Sequence, residues 1–285
     1  PSDICGLGQD LPRLERELLA IAGLDLVTLA ARALDARDPM WAIRGLLSSP
    51  LAVAVIPDTS GEGIIPGFAE ALAAIVAHMG GQATIGPPDA QGRLEAKKLG
   101  VDLILTSSDD DFLCQNLGTR AIAKNGPATG QGFAQVLFHM ARGQLRDREV
   151  LVLGAGPVGR SAASHLSFLG ARPVIHDLDP EKAAQAAGAV DNARPWAPGL
   201  GTIPSDFPLI LEASSSAWIW PEESVAPGTL IAAPGMPFSF RPSTRYVLWA
   251  EPLATGTAVM VLGAALGLGG ARRFPGLYPR RAPRR

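Results

Sequence analysis

Three glycines and one carboxylate carry the most legible chemistry in this sequence. The string Gly154-Ala155-Gly156-Pro157-Val158-Gly159 follows an apolar run, Glu149 to Leu153, and precedes a stretch with helical spacing. A bare G-x-G-x-x-G is weak; a strand before it and a helix after it are what a phosphate-binding turn requires. Gly154 permits the tight turn, Gly156 lets the backbone approach a pyrophosphate with no Cβ between them, and Gly159 lets the helix sit close on the strand. Pro157 suits the first helical turn, where no intrahelical donor is lost, and the free N–H groups there favour anions. The next apolar run ends in Asp177, placed to accept hydrogen bonds from the adenosine ribose hydroxyls. A carboxylate there repels a 2′-phosphate, so NAD is expected rather than NADP. As a bland alternative Asp177 is a turn or capping acid, although Asp179, before Pro180, is the better N-cap candidate.

Two later loops fit the same cofactor. Glu212-Ala213-Ser214-Ser215-Ser216 ends one strand-like run, and Ala233-Pro234-Gly235-Met236-Pro237 ends the next. Ligands of open α/β sheets lie outside the carboxyl ends of the strands. Ser214, Ser215, Pro234 and Gly235 are therefore expected near the ribose and nicotinamide, the alternative being plain turns. The other reactive residues form no motif. His78, His139, His165 and His176 are dispersed, none at metal-ligand spacing, so they read as structural and no metal is expected. Cys114, read as lying at a helix start, has no second thiol or histidine motif beside it, and the serines at 214–216 lack a G-x-S-x-G elbow.

The elements that must position these residues follow from periodicity. Residues 10–34 carry helical spacing, broken near Gly23. Short apolar runs at 51–56, 82–85 and 101–105 read as strands, with a helix at 67–79 between them, so a parallel sheet is expected there. A long helix is expected over 128–145. Runs at 149–153, 172–177, 207–213, 229–233 and 246–250, with helices at 157–169 and 180–188, give the doubly wound pattern. A last apolar helix, 256–268, is expected to pack back on the first half. The fold expected is α/β: a C-terminal Rossmann sheet over 147–252, and an N-terminal helical and α/β substrate domain over 1–146, with 253–270 returning to it. The long helix joins the two, and an Arg-rich tail, 271–285, is expected to be disordered.

Composition sets the outer bounds. With 47% hydrophobic and 18% charged residues the chain builds a core rather than a disordered coil, and a net charge of −2 gives no overall nucleic-acid footprint. Two cysteines and no basic-then-apolar start point to a reducing cytoplasm, and the longest apolar stretch is short for a membrane span. A homodimer is expected from the apolar helix surfaces.

Four strings, in order, carry a resemblance. They are Thr59-Ser60-Gly61-Glu62-Gly63-Ile64-Ile65 with Phe68-Ala69-Glu70-Ala71-Leu72; Ser107-Ser108-Asp109-Asp110-Asp111-Phe112-Leu113 with Asn116-Leu117; the glycine turn; and Glu251-Pro252-Leu253 with Gly256-Thr257-Ala258. From about residue 20 to 267 the chain resembles the pyrrolysine-biosynthesis dehydrogenase family, PylD. The stretch 36–50 and the Arg-rich tail depart from it, and the triple acid Asp109-Asp110-Asp111 is more acidic than its pattern. The resemblance implies an NAD-dependent oxidation of the terminal primary amine of a 3-methyl-D-ornithyl group, joined to lysine by an isopeptide bond. Ammonia release and cyclisation to the pyrroline ring of pyrrolysine follow. It also implies Ser60, Asp109 and Glu251 as the substrate-contacting, catalytic set, each following a strand-like run. On the residues alone Asp109 is equally a turn acid, Asp110 and Asp111 equally cap a helix beginning near Phe112, and Glu251 equally ends its strand in solvent.

Two other readings stay open. A shikimate- or methylene-tetrahydrofolate-dehydrogenase-like oxidoreductase shares the layout, but its central lysine has no evident counterpart among Lys97, Lys98 and Lys124. A non-catalytic NAD-sensing module would have no need for Ser60, Asp109 and Glu251 to converge.

Overall fold

The computed structural model describes residues 7–34, 50–61, 63–107, 112–196, 207–216 and 220–267. Two helices open the described chain, α1 (Leu7–Ala22) and α2 (Leu26–Ala33). The break is a left-handed Gly23, φ +70°, after which the Asp25 carboxylate accepts from Thr28 N at 2.6 Å and caps α2.

A five-stranded sheet follows, formed by β1 (Ala52–Pro57), β2 (Gln82–Ile85), β3 (Leu103–Ser107), β4 (Leu113–Asn116) and β5 (Ile122–Lys124) in the order β2-β1-β3-β4-β5. Helix α3 (Phe68–His78) and helix α4 (Asp89–Leu99) are the crossovers that make β2, β1 and β3 parallel. β1 and β3 are apolar runs rather than alternating ones because both faces are covered.

Two expectations fail here. The sheet is mixed, because β4 runs antiparallel to both β3 and β5. Residues from 112 onward begin a strand and not a helix, so Cys114 pairs with Leu105 in the sheet interior, where burial pushes its thiol pKa up and leaves it inert. The turn that closes this hairpin is built by Asn116, whose Oδ1 accepts from Gly118 N and Thr119 N, both at 2.9 Å. Four residues are too few to show a period. Helix α4 was hidden for a different reason: it buries only Gly92 and Ala96, so it has almost no apolar stripe.

Helix α5 (Asn125–Met140) leads into a six-stranded, all-parallel sheet of β6 (Glu149–Leu153), β7 (Arg172–His176), β8 (Arg194–Pro195), β9 (Leu209–Glu212), β10 (Leu230–Ala232) and β11 (Val247–Trp249). Its order, β11-β10-β9-β6-β7-β8, is the doubly wound one, with the change of direction between β6 and β9. Helix α6 (Pro157–Phe168), helix α7 (Pro180–Gly188) and helix α8 (Pro252–Ala265) complete the architecture.

Helix α5 starts and ends earlier than its periodicity suggested, and it is the element on which both halves meet. It packs against α6 on one side and α8 on the other, while α8 also lies on α2, α3 and β4. The contacts are backbone-close. A Cβ on Gly130 would run into Val158 O and Ala162 N of α6; one on Gly132 would come within 2.8 Å of Thr255 Cγ2 of α8; one on Gly256 would run into Thr129 Oγ1. His165 reaches from α6 to α5, with Nε2 at 3.2 Å from Gln135 Oε1, and burial holds its pKa down at about 4, so it is a neutral core residue.

A side chain at the α5–α6 crossing should therefore be costly. Gly130→Ala is expected to destabilise by about 1–3 kcal/mol through overpacking, seen as a lower thermal midpoint. Gly188→Ala on α7, where a Cβ meets nothing within 4 Å, is the control expected to leave the midpoint unchanged or raise it.

Candidate functional site

The turn from β6 into α6 has the shape its glycines imply. Gly154 is left-handed, φ +96°, and a Cβ on it would stand 2.7 Å from Ala213 O. A Cβ on Gly159 would overlap Gly154 O, so α6 sits directly on the strand end. At Gly156 nothing lies within 4 Å of the Cβ position, leaving open space before the α6 N-terminus, where a phosphate group meets unpaired N–H groups. Arg160 braces the turn through Nε to Ala155 O at 2.7 Å. The residues present fit a dinucleotide.

Asp177 stands beside this turn. Its Oδ2 accepts from Ala155 N at 2.7 Å and its Oδ1 from Asp179 N at 3.0 Å. A carboxylate has about four acceptor sites, so lone pairs remain for a ribose. Asp179 is the cap of α7, accepting from Glu181 N at 3.0 Å and Lys182 N at 3.4 Å.

The loops after β9 and β10 form the other wall across the switch point. Ala213 N donates to Leu153 O at 2.7 Å, which ties the first loop to the glycine-turn strand β6, and Gly235 N donates to Glu212 O at 2.9 Å, which ties the second loop to β9. Ser215 is exposed, whereas Pro234 and Gly235 are buried. Beneath the two loops lies a residue that sequence reasoning passed over. Glu212 is fully buried; its Oε1 accepts from Ser214 N at 2.8 Å and from the Ser214 hydroxyl. Its Oε2 has no hydrogen-bond partner among the described residues. Burial pushes its carboxyl up to about 7 against the pull of the two Ser214 bonds. The available signal was an acid closing a wholly apolar strand.

Three further groups follow strand ends. Glu251, after β11, is not a strand end in solvent: it is the N-cap of α8, its Oε1 accepting from Ala254 N at 3.2 Å. Burial raises its pKa, opposed by the backbone N–H groups of Ala254 and Leu253. Ser60, after β1, is exposed and donates from N at 2.9 Å and from Oγ at 2.6 Å to Asp58 Oδ1. Those bonds, with Arg93 Nη2 at 3.2 Å, hold the Asp58 carboxyl below its ordinary range. Asp109 lies outside the described residues, two positions beyond Ser107, which ends β3 opposite Pro57 of β1. β1 and β3 thus end side by side, as adjacent parallel strands.

The start of α5 links these groups to the glycine turn. A Cβ on Gly126 would lie 3.1 Å from Pro157 Cβ, and one on Gly256 would lie 3.0 Å from Asn125 Oδ1, so three helix beginnings converge. Asn125, also unforeseen, accepts from Thr129 Oγ1 at 3.0 Å. Lys124 ends β5 and is exposed, a strand end that the sequence pattern did not show. Among the described residues no three His, Cys, Asp or Glu side chains are grouped to hold a metal ion, and no helix is long and apolar enough to cross a membrane.

Comparison with known proteins places the chain. Residues 8–123 match the family described as pyrrolysine biosynthesis protein PylD, N-terminal domain. A protein named pyrrolysine synthase from Methanosarcina barkeri is 30% identical over 272 residues, covering 92% of this chain and 95% of that one. The chain belongs to the PylD family. A second member, the pyrrolysine synthase of Methanosarcina acetivorans, is 34% identical over 267 residues, covering 92% of this chain and 96% of that one. Among solved structures, shikimate dehydrogenase from Aquifex aeolicus superposes with a TM-score of 0.50 at 11% identity, over 76% of this chain and 93% of that one; this likeness concerns the fold alone.

Titration of Glu212 gives a stability prediction with a definite sign. Its folded pKa, about 7, lies above the ordinary 4.5, so the native state prefers the neutral carboxyl and loses stability as pH rises between those values. Glu212→Gln keeps an acceptor for Ser214 and carries no charge. Its thermal midpoint relative to the native chain is expected to improve on moving from about pH 5 to about pH 8. A constant difference across that range would show that Glu212 does not titrate in the fold.

Proposed function

We propose that this chain is an NAD-dependent dehydrogenase of pyrrolysine biosynthesis. Its substrate is lysine bearing a 3-methyl-D-ornithyl group on the side-chain nitrogen, and the carbon oxidised is the one carrying the ornithyl terminal amine. The observation that carries the cofactor half of this reading is Asp177, a carboxylate bonded to the glycine turn at Ala155 N, where a ribose is expected and a 2′-phosphate is repelled. The substrate half rests on the pyrrolysine synthases to which the chain is related over nearly its whole length.

The chain's own groups divide the work. The α6 N-terminus binds the diphosphate with the glycine turn, namely Gly154, Ala155, Gly156, Pro157, Val158 and Gly159, and Asp177 holds the adenosine ribose. Ser214, Ser215, Pro234 and Gly235 border the nicotinamide half. NAD, when bound, supplies the acceptor for a hydride. The substrate ammonium must first lose a proton, and Glu251, made more basic than an ordinary carboxylate by burial, suits that role. Asp109 and Ser60 orient the amine from the other sheet. Loss of hydride leaves an imine; water adds, ammonia departs, and the aldehyde condenses with the ornithyl α-amine, losing water. Orientation and exclusion of water are the main demands on such a site.

The test is NADH formation by purified protein with NAD and the isopeptide-linked ornithyl-lysine, with mass spectrometry of the product. The expected product is lighter by one ammonia and two hydrogens; binding of NAD without turnover would reject the substrate assignment. Asp177→Ala is expected to weaken NAD binding about ten- to a hundredfold, as loss of a charged hydrogen bond does, and to weaken NADP binding less. Glu251→Gln is expected to lower kcat with little change in NAD affinity.

A further inference from the structure

Glu212 is unexplained by its local fold. Its backbone already ties the loop after β10 to β9, since its carbonyl accepts from Gly235 N, and Ser214 needs only one acceptor, Oε1. The second oxygen, Oε2, is buried with no partner among the described residues, a costly arrangement for a residue that serves packing alone. It occupies the carboxyl end of β9, next to β6 at the switch point, between the two loops that wall the cofactor side. Position 235 is compatible only with glycine here, because a Cβ would run into Oε2 and Ser214 O. Carboxyl, Ser214 and Gly235 therefore form one unit that fixes the spacing of the loops.

Resting on the NAD reading above, we propose that Glu212 is a positioning residue for the nicotinamide half of the cofactor and that its ionisation discriminates between the cofactor's redox forms. The oxidised ring carries a positive charge and the reduced ring carries none. A buried carboxylate at the floor of the site attracts the first and not the second, and in low-dielectric surroundings that attraction is little screened. The neutral carboxyl is indifferent between them. Binding of the oxidised form then expels the proton from Glu212, and reduction lets it return.

The surroundings leave Glu212 to titrate on its own. The ionisable groups on the elements packed around β9 are Glu149 of β6, Arg160 and His165 of α6, and His139 of α5; β10 has none, and the chain between β10 and β11 carries Arg241, Arg245, bonded to Val225 O, and Tyr246, bonded to Arg241 O. None of these sets the pKa of Glu212, which is governed by burial and by Ser214 and falls at about 7, inside the working range of a cell.

The experiment measures dissociation constants of NAD+ and NADH by calorimetry, on the full chain, from about pH 6 to about pH 8. For the native protein the affinity for NAD+ is expected to rise several-fold across this range while that for NADH stays level. In Glu212→Gln both are expected to be level. In Ser214→Ala, which removes a bond that lowers the Glu212 pKa, the rise is expected at higher pH. This third result keeps the proposal exposed should Glu212→Gln not fold. Binding of both forms with the same pH profile in native and Glu212→Gln protein, or with an unshifted rise in Ser214→Ala, would overturn the role of Glu212 and leave the NAD reading standing. Absence of binding by the native protein would overturn the NAD reading and the proposal with it.

Discussion

The crossing of α5 over α6 and α8 sets the distance from which every other feature of the site follows. Gly130 and Gly132 on α5 and Gly256 on α8 remove the side chains that would hold these helices apart. Backbone then lies on backbone, and small displacements are resisted by close packing on all sides. Because α6 begins at the glycine turn and Glu251 caps α8, the crossing fixes the glycine turn relative to Glu251. Sequence separation is large between these helices, and the small-residue surface of α5 is what makes them neighbours.

Around that frame the acids are tuned by what surrounds them. Asp58 accepts three hydrogen bonds and is held ionised. Asp177 accepts two from backbone N–H groups. Glu212 also accepts two, both from Ser214, and Glu251 caps α8, yet burial outweighs these bonds and pushes both carboxyls toward the neutral form. On the proposed reading, the two raised carboxyls stand where a proton or a positive ring must be accommodated. Desolvation raises a carboxyl and donors lower it: the donors win at Asp58, and burial wins at Glu212 and Glu251.

Much of this was legible in the sequence. The shape of the glycine turn, the place of Asp177 just after its strand and the doubly wound series were readable because each depends on local order: a strand, a turn of fixed length, a helix. The break at Gly23 was readable for the same reason. What escaped was set by partners far along the chain. β4 looks like a helix start until it is paired with β3, and α4 shows no stripe because it meets β1 and β3 through only Gly92 and Ala96. Glu251 became a helix cap because Pro252 starts α8 at once, four residues before the apolar run suggested. In the sequence Glu212 reads only as a strand end; that its second oxygen is buried without a partner among the described residues depends on the packing of Gly235, more than twenty residues later. Asp109 lies outside the described residues, so its place rests on the family resemblance and on its position after β3.

The central claim is that hydride leaves the carbon bearing the terminal amine and passes to NAD held at the glycine turn. The most direct measurement uses substrate carrying two deuterium atoms on that carbon, with isotope analysis of both products. One deuterium is predicted on the reduced nicotinamide and one on the ring carbon of the product imine. Reduced nicotinamide free of deuterium, or a product retaining both, would contradict the account.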